Sequence, residues 1–121
     1  MSDEFEYDVA FSFNAIDENL ATRLNDLISD RTKTFLYSER QREIAGTDGH
    51  ITFSDVYAKK ARVVVILYRP EWGETNWTRV EQEAVRNRAF SEGWDFTLFI
   101  PTIAVQSLPS WFPKTRVYIL D

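Results

Sequence analysis

One glutamate of this sequence stands where a charged side chain costs free energy. A helix is predicted from about Asn76 to Phe90, and its apolar side chains form one stripe, consisting of Trp77, Val80, Ala84 and Val85. Glu81 lies inside that stripe, whereas Glu83 falls on a polar face. An inward-facing carboxylate is unfavourable unless it is paired or reaches a wet cleft, so Glu81 is the first candidate for chemistry.

Glu81 also has structural explanations. Its carboxylate can form an ion pair with Arg88 or Arg42, or it can extend to solvent at the start of the helix. Its place in the first turns of the helix, near the carboxyl ends of the predicted strands, favours a functional role. In open α/β sheets, ligands bind at those strand ends, near the point where the strand order reverses.

Polar and aromatic residues collect at that edge of the sheet. Three predicted strand ends contribute them: Ser12, Phe13 and Asn14 after the first, Tyr37 to Gly46 after the second, and Tyr68 with Arg69 after the third. No G-x-G-x-x-G, P-loop or G-x-S-x-G motif is present. The third strand ends without the aspartate that a response-regulator receiver domain needs. With no cysteine and one histidine, His50, we expect no metal site and no His-paired triad.

The elements that must position these residues alternate between strands and helices. Strands are predicted at Tyr7–Phe13, Phe35–Tyr37, Arg62–Tyr68, Phe96–Ile100 and Val117–Leu120. The unbroken apolar run Val63 to Leu67 is expected of a strand buried on both faces. This alternation predicts an α/β fold, a flavodoxin-like five-stranded parallel sheet of order 2-1-3-4-5 flanked by helices.

Two further helices are predicted between the first three strands. The first should pack one face on the sheet through Ile16, Leu20, Leu24, Leu27 and Ile28. Asn14 or Asp17 is expected to cap it. The second, around 54–61, should bury Val56, Tyr57 and Ala61.

Composition indicates a single acidic, globular, cytoplasmic domain spanning residues 1–121. The net charge of −5 argues against a dedicated nucleic-acid binder. No apolar run approaches the roughly 18 residues of a membrane helix, so no membrane partner is expected. Because the chain stops at Asp121, directly after the last predicted strand, we expect the usual final helix to be missing and the domain to be an N-terminal part of a longer protein.

Several segments, in this order, resemble Toll/interleukin-1 receptor (TIR) domains. Tyr7 to Phe13 reads YDVAFSF and resembles the family's YDVFISF opening. The run Val63 to Leu67, followed by Trp77-x-x-x-Glu81, resembles the third strand and the W-x-x-x-E helix. Phe53 to Arg62 looks like the bacterial branch in particular. The resemblance covers nearly the whole chain.

The resemblance implies an NAD+ glycohydrolase or cyclase in which Glu81 is catalytic and NAD+ is a substrate, with no cofactor. It implies that the loop Ser38 to Gly49 gates the site, although Ser38 stands where the family usually has aspartate. Together with the strand-end argument, it gives a candidate substrate-binding set of Ser12, Phe13, Asn14, Tyr37, Ser38, Gly46, Tyr68 and Trp77.

This chemistry suits these residue types. The nicotinamide of NAD+ is cationic and leaves as a neutral molecule, so the enzyme must stabilise an oxocarbenium-like ribose, which one carboxylate can do. Phe13 or Trp77 can stack on nicotinamide, with core packing as the alternative for both. The resemblance implies an effector of bacterial antiphage immunity that self-associates with other TIR domains. The alternative is a non-catalytic TIR–TIR interaction module, and nothing in the sequence separates hydrolase from cyclase.

Overall fold

The parallel sheet is the centre of the fold. The computed structural model describes residues 5–37 and 54–102. In these ranges four strands form one sheet: β1 (Tyr7–Phe13), β2 (Thr34–Phe35), β3 (Ala61–Tyr68) and β4 (Thr97–Pro101). Their order is β2-β1-β3-β4 and every pairing is parallel, which confirms the predicted fold class. The predicted fifth strand, Val117–Leu120, lies outside the described residues.

The apolar run predicted for a central strand lies in β3, between β1 and β4. Val64, Ile66 and Leu67 have no exposed surface, and Val65 is 8% exposed. Such complete burial follows when helices cover both faces of a parallel sheet. The prediction of a buried interior strand is therefore confirmed.

Helices cover the two faces of the sheet separately. On one face α1 (Glu18–Ile28) packs over a cluster formed by Phe11, Phe13, Ala21, Val65, Leu67 and Ile100. On the other face lie the π-helical segment Val56–Lys60 and α2 (Asn76–Glu92), over a cluster that includes Ala10, Tyr57, Val64, Trp72, Val85 and Phe99. Because side chains alternate along a strand, neighbouring residues of β1 and β3 belong to different clusters.

The inward face of α1 differs from the prediction. Ile16 is 66% exposed and Leu27 is 75% exposed, so both were wrongly placed on the inward face. Ile16 belongs to a separate 3₁₀ turn, Ala15–Asp17, and does not follow the rotation of α1. Fully buried Ala21 faces the sheet, and this rotation leaves Leu27 at the solvent side.

The helix cap and the remaining element boundaries agree with the prediction in part. The side chain of Asn14 caps the 3₁₀ turn by accepting from the Ile16 N–H at 3.2 Å, whereas Asp17 precedes α1 without capping it. β2 begins at Thr34 and ends at Phe35, earlier than predicted. Val56, Tyr57 and Ala61 are buried as predicted, although Ala61 already belongs to β3.

The helix that carries Glu81 has defined ends. At its start Thr75 and Thr78 form a reciprocal capping box, in which each side-chain oxygen accepts from the other residue's backbone N–H at 3.2 Å. At its end Gly93 has φ 85°, a conformation that side chains disfavour. No helix within 5–37 or 54–102 combines the length and the apolar character that crossing a membrane requires.

Candidate active site

Glu81 lies in α2 and is completely buried, with 0% exposure. The hydroxyl of Ser12 donates to its Oε1 atom at 2.7 Å. Ser12 is itself fully buried near the end of β1, where it pairs with Ile66 of β3. The helix stripe and the first strand end, which the sequence identified separately, therefore meet at one point.

A third side chain, which the sequence analysis missed, completes this group. The indole Nε1–H of Trp72 donates to the Ser12 hydroxyl oxygen at 2.8 Å, and Trp72 is only 2% exposed. Trp72 lies in the turn between β3 and α2, where the backbone N–H of Trp72 donates to the carbonyl of Arg69. A tryptophan inside an otherwise polar turn was the available signal, because such a large ring is seldom left in water.

Gly73 gives this turn its shape. It has φ 95°, a left-handed conformation that residues with a Cβ rarely adopt. A Cβ at this position would also lie 2.2 Å from the side-chain nitrogen of Gln82 on α2. The left-handed backbone is therefore the main reason that glycine follows Trp72 in this turn, because the Gln82 side chain is flexible and could move.

The structure excludes two of the three structural explanations for the inward position of Glu81. Arg88 donates to the carbonyl oxygen of Ala61 at 2.7 Å and to Glu92 at 3.2 Å, and its guanidinium lies 4.0 Å from the Phe96 ring centre. The proposed pairing with Arg88 is thus wrong. Extension to solvent is also wrong, because Glu81 has no exposed surface. Arg42 lies outside the described residues.

A second buried carboxylate lies beyond the carboxyl end of β1. Asp17 is 6% exposed and receives two hydrogen bonds from the Arg69 guanidinium, at 2.8 and 2.6 Å. Thr102, just past β4, donates to the same carboxylate at 3.1 Å. Hydrogen bonding to Asp17 raises the pKa of Arg69 above its already high value, so the guanidinium stays charged. Neither residue carried a pairing signal in the sequence, because they are 52 positions apart.

Tyr68 lies on the same face of the sheet as Ser12 and packs edge-on against Trp72, with ring centres 6.5 Å apart. Burial raises the pKa of its phenol, and the negative charges of Glu74 and Glu71 raise it further. Tyr68 is therefore neutral at pH 7.

Other candidates lie apart from Glu81. The Phe13 ring is 1% exposed and packs under α1, on the opposite face of the sheet from Ser12. This follows from the alternation of side chains along β1, a signal already present in the sequence. The amide oxygen of Asn14 caps the 3₁₀ turn. Tyr37 follows β2 and stacks on Phe35, with ring centres 4.7 Å apart.

The structure does not describe the side chains of three of the candidate residues. Ser38 and Gly46 lie outside the described residues, as do His50 and the rest of the predicted gating loop. The backbone of Trp77 belongs to the first turn of α2, but its side chain is outside what the structure describes. Within 5–37 and 54–102, no three His, Cys, Asp or Glu side chains are grouped to hold a metal ion.

The fold and the site together define a class: a parallel α/β sheet of flavodoxin order with a buried glutamate on the helix after its third strand. No family model matches the chain. The chain is similar to 3′ cyclic ADP-D-ribose synthase AaTIR of Aquimarina amphilecti, with 28% identity over 95 residues. The alignment covers 78% of this chain and 29% of that protein. Together with the fold, this similarity confirms the resemblance to TIR domains seen in the motifs.

Proposed function

We propose that this domain cleaves NAD+ at the bond between nicotinamide and ribose, with Glu81 as its catalytic residue. The observation that carries the proposal is a fully buried carboxylate, hydrogen-bonded to Ser12 at the end of the first strand. Buried ionisable groups with specific partners are concentrated at functional sites, because burying a charge is otherwise selected against. The similarity to a cyclic ADP-ribose synthase supports the same chemistry, since ADP-ribose is what remains of NAD+ when nicotinamide leaves.

The reaction needs one well-placed negative charge. The C1′–N bond breaks and its electron pair goes to the nicotinamide ring, which leaves neutral without protonation. The ribose then carries positive charge at C1′, and the carboxylate of Glu81 stabilises this cation electrostatically, as in glycoside hydrolysis. Attack by water gives ADP-ribose and a proton. Attack by a hydroxyl group of the same ADP-ribose molecule gives a cyclic ADP-ribose and a proton.

The burial of Glu81 has two consequences for this reaction. A site from which water is excluded strengthens the attraction between the carboxylate and the ribose cation, because the local dielectric constant is low. Complete burial also means that the carboxylate must become uncovered before the ribose can reach it. We propose that self-association with other TIR domains accompanies this opening, as the family resemblance implies.

We also propose a cellular role on the basis of the resemblance of Phe53 to Arg62 to bacterial TIR domains. In a bacterial cell the domain would act in the cytoplasm as an effector of antiphage immunity. It would either deplete NAD+ or produce a signal from it. The two outcomes correspond to the hydrolase and cyclase reactions.

Product analysis tests the proposed function. NAD+ is incubated with the protein at high concentration, or with the protein fused to an oligomeric carrier, and the products are identified by mass spectrometry. We expect nicotinamide together with ADP-ribose, or with a cyclic ADP-ribose, which is one water lighter than ADP-ribose. Glu81→Gln on the same carrier is the matched control and should release little nicotinamide. If no clustered form of the parent releases nicotinamide, the proposal is wrong and the domain is an interaction module.

A further inference from the structure

We infer that Trp72 is a positioning residue that acts on the Glu81 carboxylate through the hydroxyl of Ser12. The inference rests on the proposed function and adds a mechanism to it. The three side chains form a continuous hydrogen-bonded series: Trp72 Nε1 lies 2.8 Å from Ser12 Oγ, which lies 2.7 Å from Glu81 Oε1. All are at least 98% buried, so water does not compete for these contacts.

The direction of the two hydrogen bonds follows from the chemistry of their groups. An indole N–H can donate but cannot accept, so Ser12 must accept from Trp72. An ionised carboxylate can accept but cannot donate, so the single hydroxyl proton of Ser12 is held by Glu81. Trp72 thus fixes the orientation of the Ser12 hydroxyl, which in turn makes a charge-assisted hydrogen bond to the carboxylate.

This direction limits what Ser12 can do. Its one proton is committed to Glu81, and one of its lone pairs is committed to Trp72. Ser12 is therefore neither a nucleophile nor a donor to the substrate while the series is intact. Its effect on the reaction is exerted through the carboxylate, whose Oε1 atom it holds in place.

The packing of Trp72 explains why it can serve as the fixed end of the series. Its ring meets Tyr68 and Phe99 edge-on, with ring centres 6.5 Å apart in both cases. Neighbouring Gly73 adopts the left-handed backbone conformation of the turn, with φ 95°. A donor held on a packed ring is oriented before substrate arrives, which is the condition for electrostatic preorganisation.

A double-mutant cycle tests the inference with the clustered protein and NAD+. Ser12→Ala and Trp72→Phe should each lower kcat by roughly 10-fold, the effect of one hydrogen bond to a charged group or its support, while KM is unchanged. The double variant should be no slower than Ser12→Ala alone, because Trp72 acts only through Ser12. Independent structural effects would instead multiply, and that result would overturn the inference.

Trp94→Phe is the matched control for loss of the indole. Trp94 packs against the same Phe99 ring, with centres 5.8 Å apart, and is a partly buried neighbour of the same cluster. The substitution removes the same atoms from the same core. We expect it to leave kcat unchanged and to lower the thermal midpoint by less than Trp72→Phe, because Trp94 is only partly buried. An equal loss of kcat in both variants would show that Trp72 acts through packing alone.

A measurement independent of turnover separates this inference from the proposed function. The indole N–H signal of Trp72 is assigned in a ¹H–¹⁵N spectrum by its disappearance in Trp72→Phe. In the otherwise unchanged protein, it should exchange slowly with water and should shift in Ser12→Ala. A signal that does not move overturns the series even if NAD+ is cleaved. A shifted signal supports the series even if the clustered parent proves inactive, a result that would refute only the proposed function.

Discussion

In the part of the chain that the structure describes, the carboxylates of Asp17 and Glu81 are buried near the end of β1, and their surroundings differ. Asp17 is held by the Arg69 guanidinium through two hydrogen bonds and by the hydroxyl of Thr102. Glu81 accepts a hydrogen bond from Ser12, a neutral hydroxyl. In the first arrangement, the guanidinium of Arg69 neutralises the negative charge of the Asp17 carboxylate. The second orients a carboxylate by means of a donor that carries no opposing charge.

The difference is the one expected between an architectural ion pair and the proposed site for chemistry. Asp17, Arg69 and Thr102 follow β1, β3 and β4, so their hydrogen bonds join the ends of three strands. A carboxylate whose charge is matched by a guanidinium in this way has little attraction left for a cationic ribose. The proposed function requires the carboxylate that accepts from Ser12 to act on a transition state that develops positive charge.

The largest expected effect is on turnover, from Glu81→Gln. The change keeps the shape of the side chain and an oxygen that accepts from Ser12, but it removes the negative charge. We expect kcat for NAD+ cleavage to fall by about 10²-fold or more, the effect of losing one preorganised electrostatic contact. The thermal midpoint should change little, because a charge on an inward face is seldom a net source of stability.

Glu83→Gln is the control for this prediction, because Glu83 is exposed on the same helix. It should retain the activity of the parent. Equal activity of the Glu81 and Glu83 variants under conditions where the parent turns over would remove Glu81 from the mechanism. The contrast with Asp17 would then have no functional meaning.

Arg69→Met should produce the next largest effect, and on stability. It leaves Asp17 buried without its guanidinium partner, and removing one member of a buried ion pair is strongly destabilising. We expect the free energy of unfolding, measured in urea, to fall by about 2 kcal/mol, less than for a deeply buried pair because the Arg69 side chain is 15% exposed.

The double variant Asp17→Asn with Arg69→Met is the companion measurement. Once the aspartate charge is also removed, part of the lost stability should return, because no uncompensated charge remains buried. If Arg69→Met alone costs nothing, the pair behaves as a solvated surface ion pair. The architectural interpretation of Asp17 would then be wrong.

The smallest effect is expected from Thr75→Ala, at the start of the helix that carries Glu81. Thr75 caps α2 through its side chain, whereas Asp17 at the start of α1 makes no side-chain cap because Arg69 holds its carboxylate. Loss of the cap should cost about 1 kcal/mol of unfolding free energy in urea. Thr22→Ala, at an exposed site within α1, is the matched control and should be neutral or slightly stabilising. Equal effects would mean that the capping box contributes nothing.

The periodicity of apolar residues in the sequence was sufficient to predict the central strand of the sheet and the inward position of Glu81. The run Val63 to Leu67 predicted a buried central strand, and the spacing of apolar residues in the 76–90 helix predicted that Glu81 faces inward. Both predictions are confirmed, because they depend on rules that act within a few residues of the chain. The same rules misplaced Ile16, where a 3₁₀ turn interrupts the helical rotation.

What surrounds Glu81 was decided only by the tertiary structure. Its contact with Ser12 joins residues 69 positions apart, and the contact of Ser12 with Trp72 joins residues 60 positions apart. The pairing of Asp17 with Arg69, rather than capping of α1, depends in the same way on the close approach of separate strand ends. Hydrogen bonds of this kind leave no local periodicity. They exist because the parallel strands β1 and β3 pair in one particular register and α2 packs back across them.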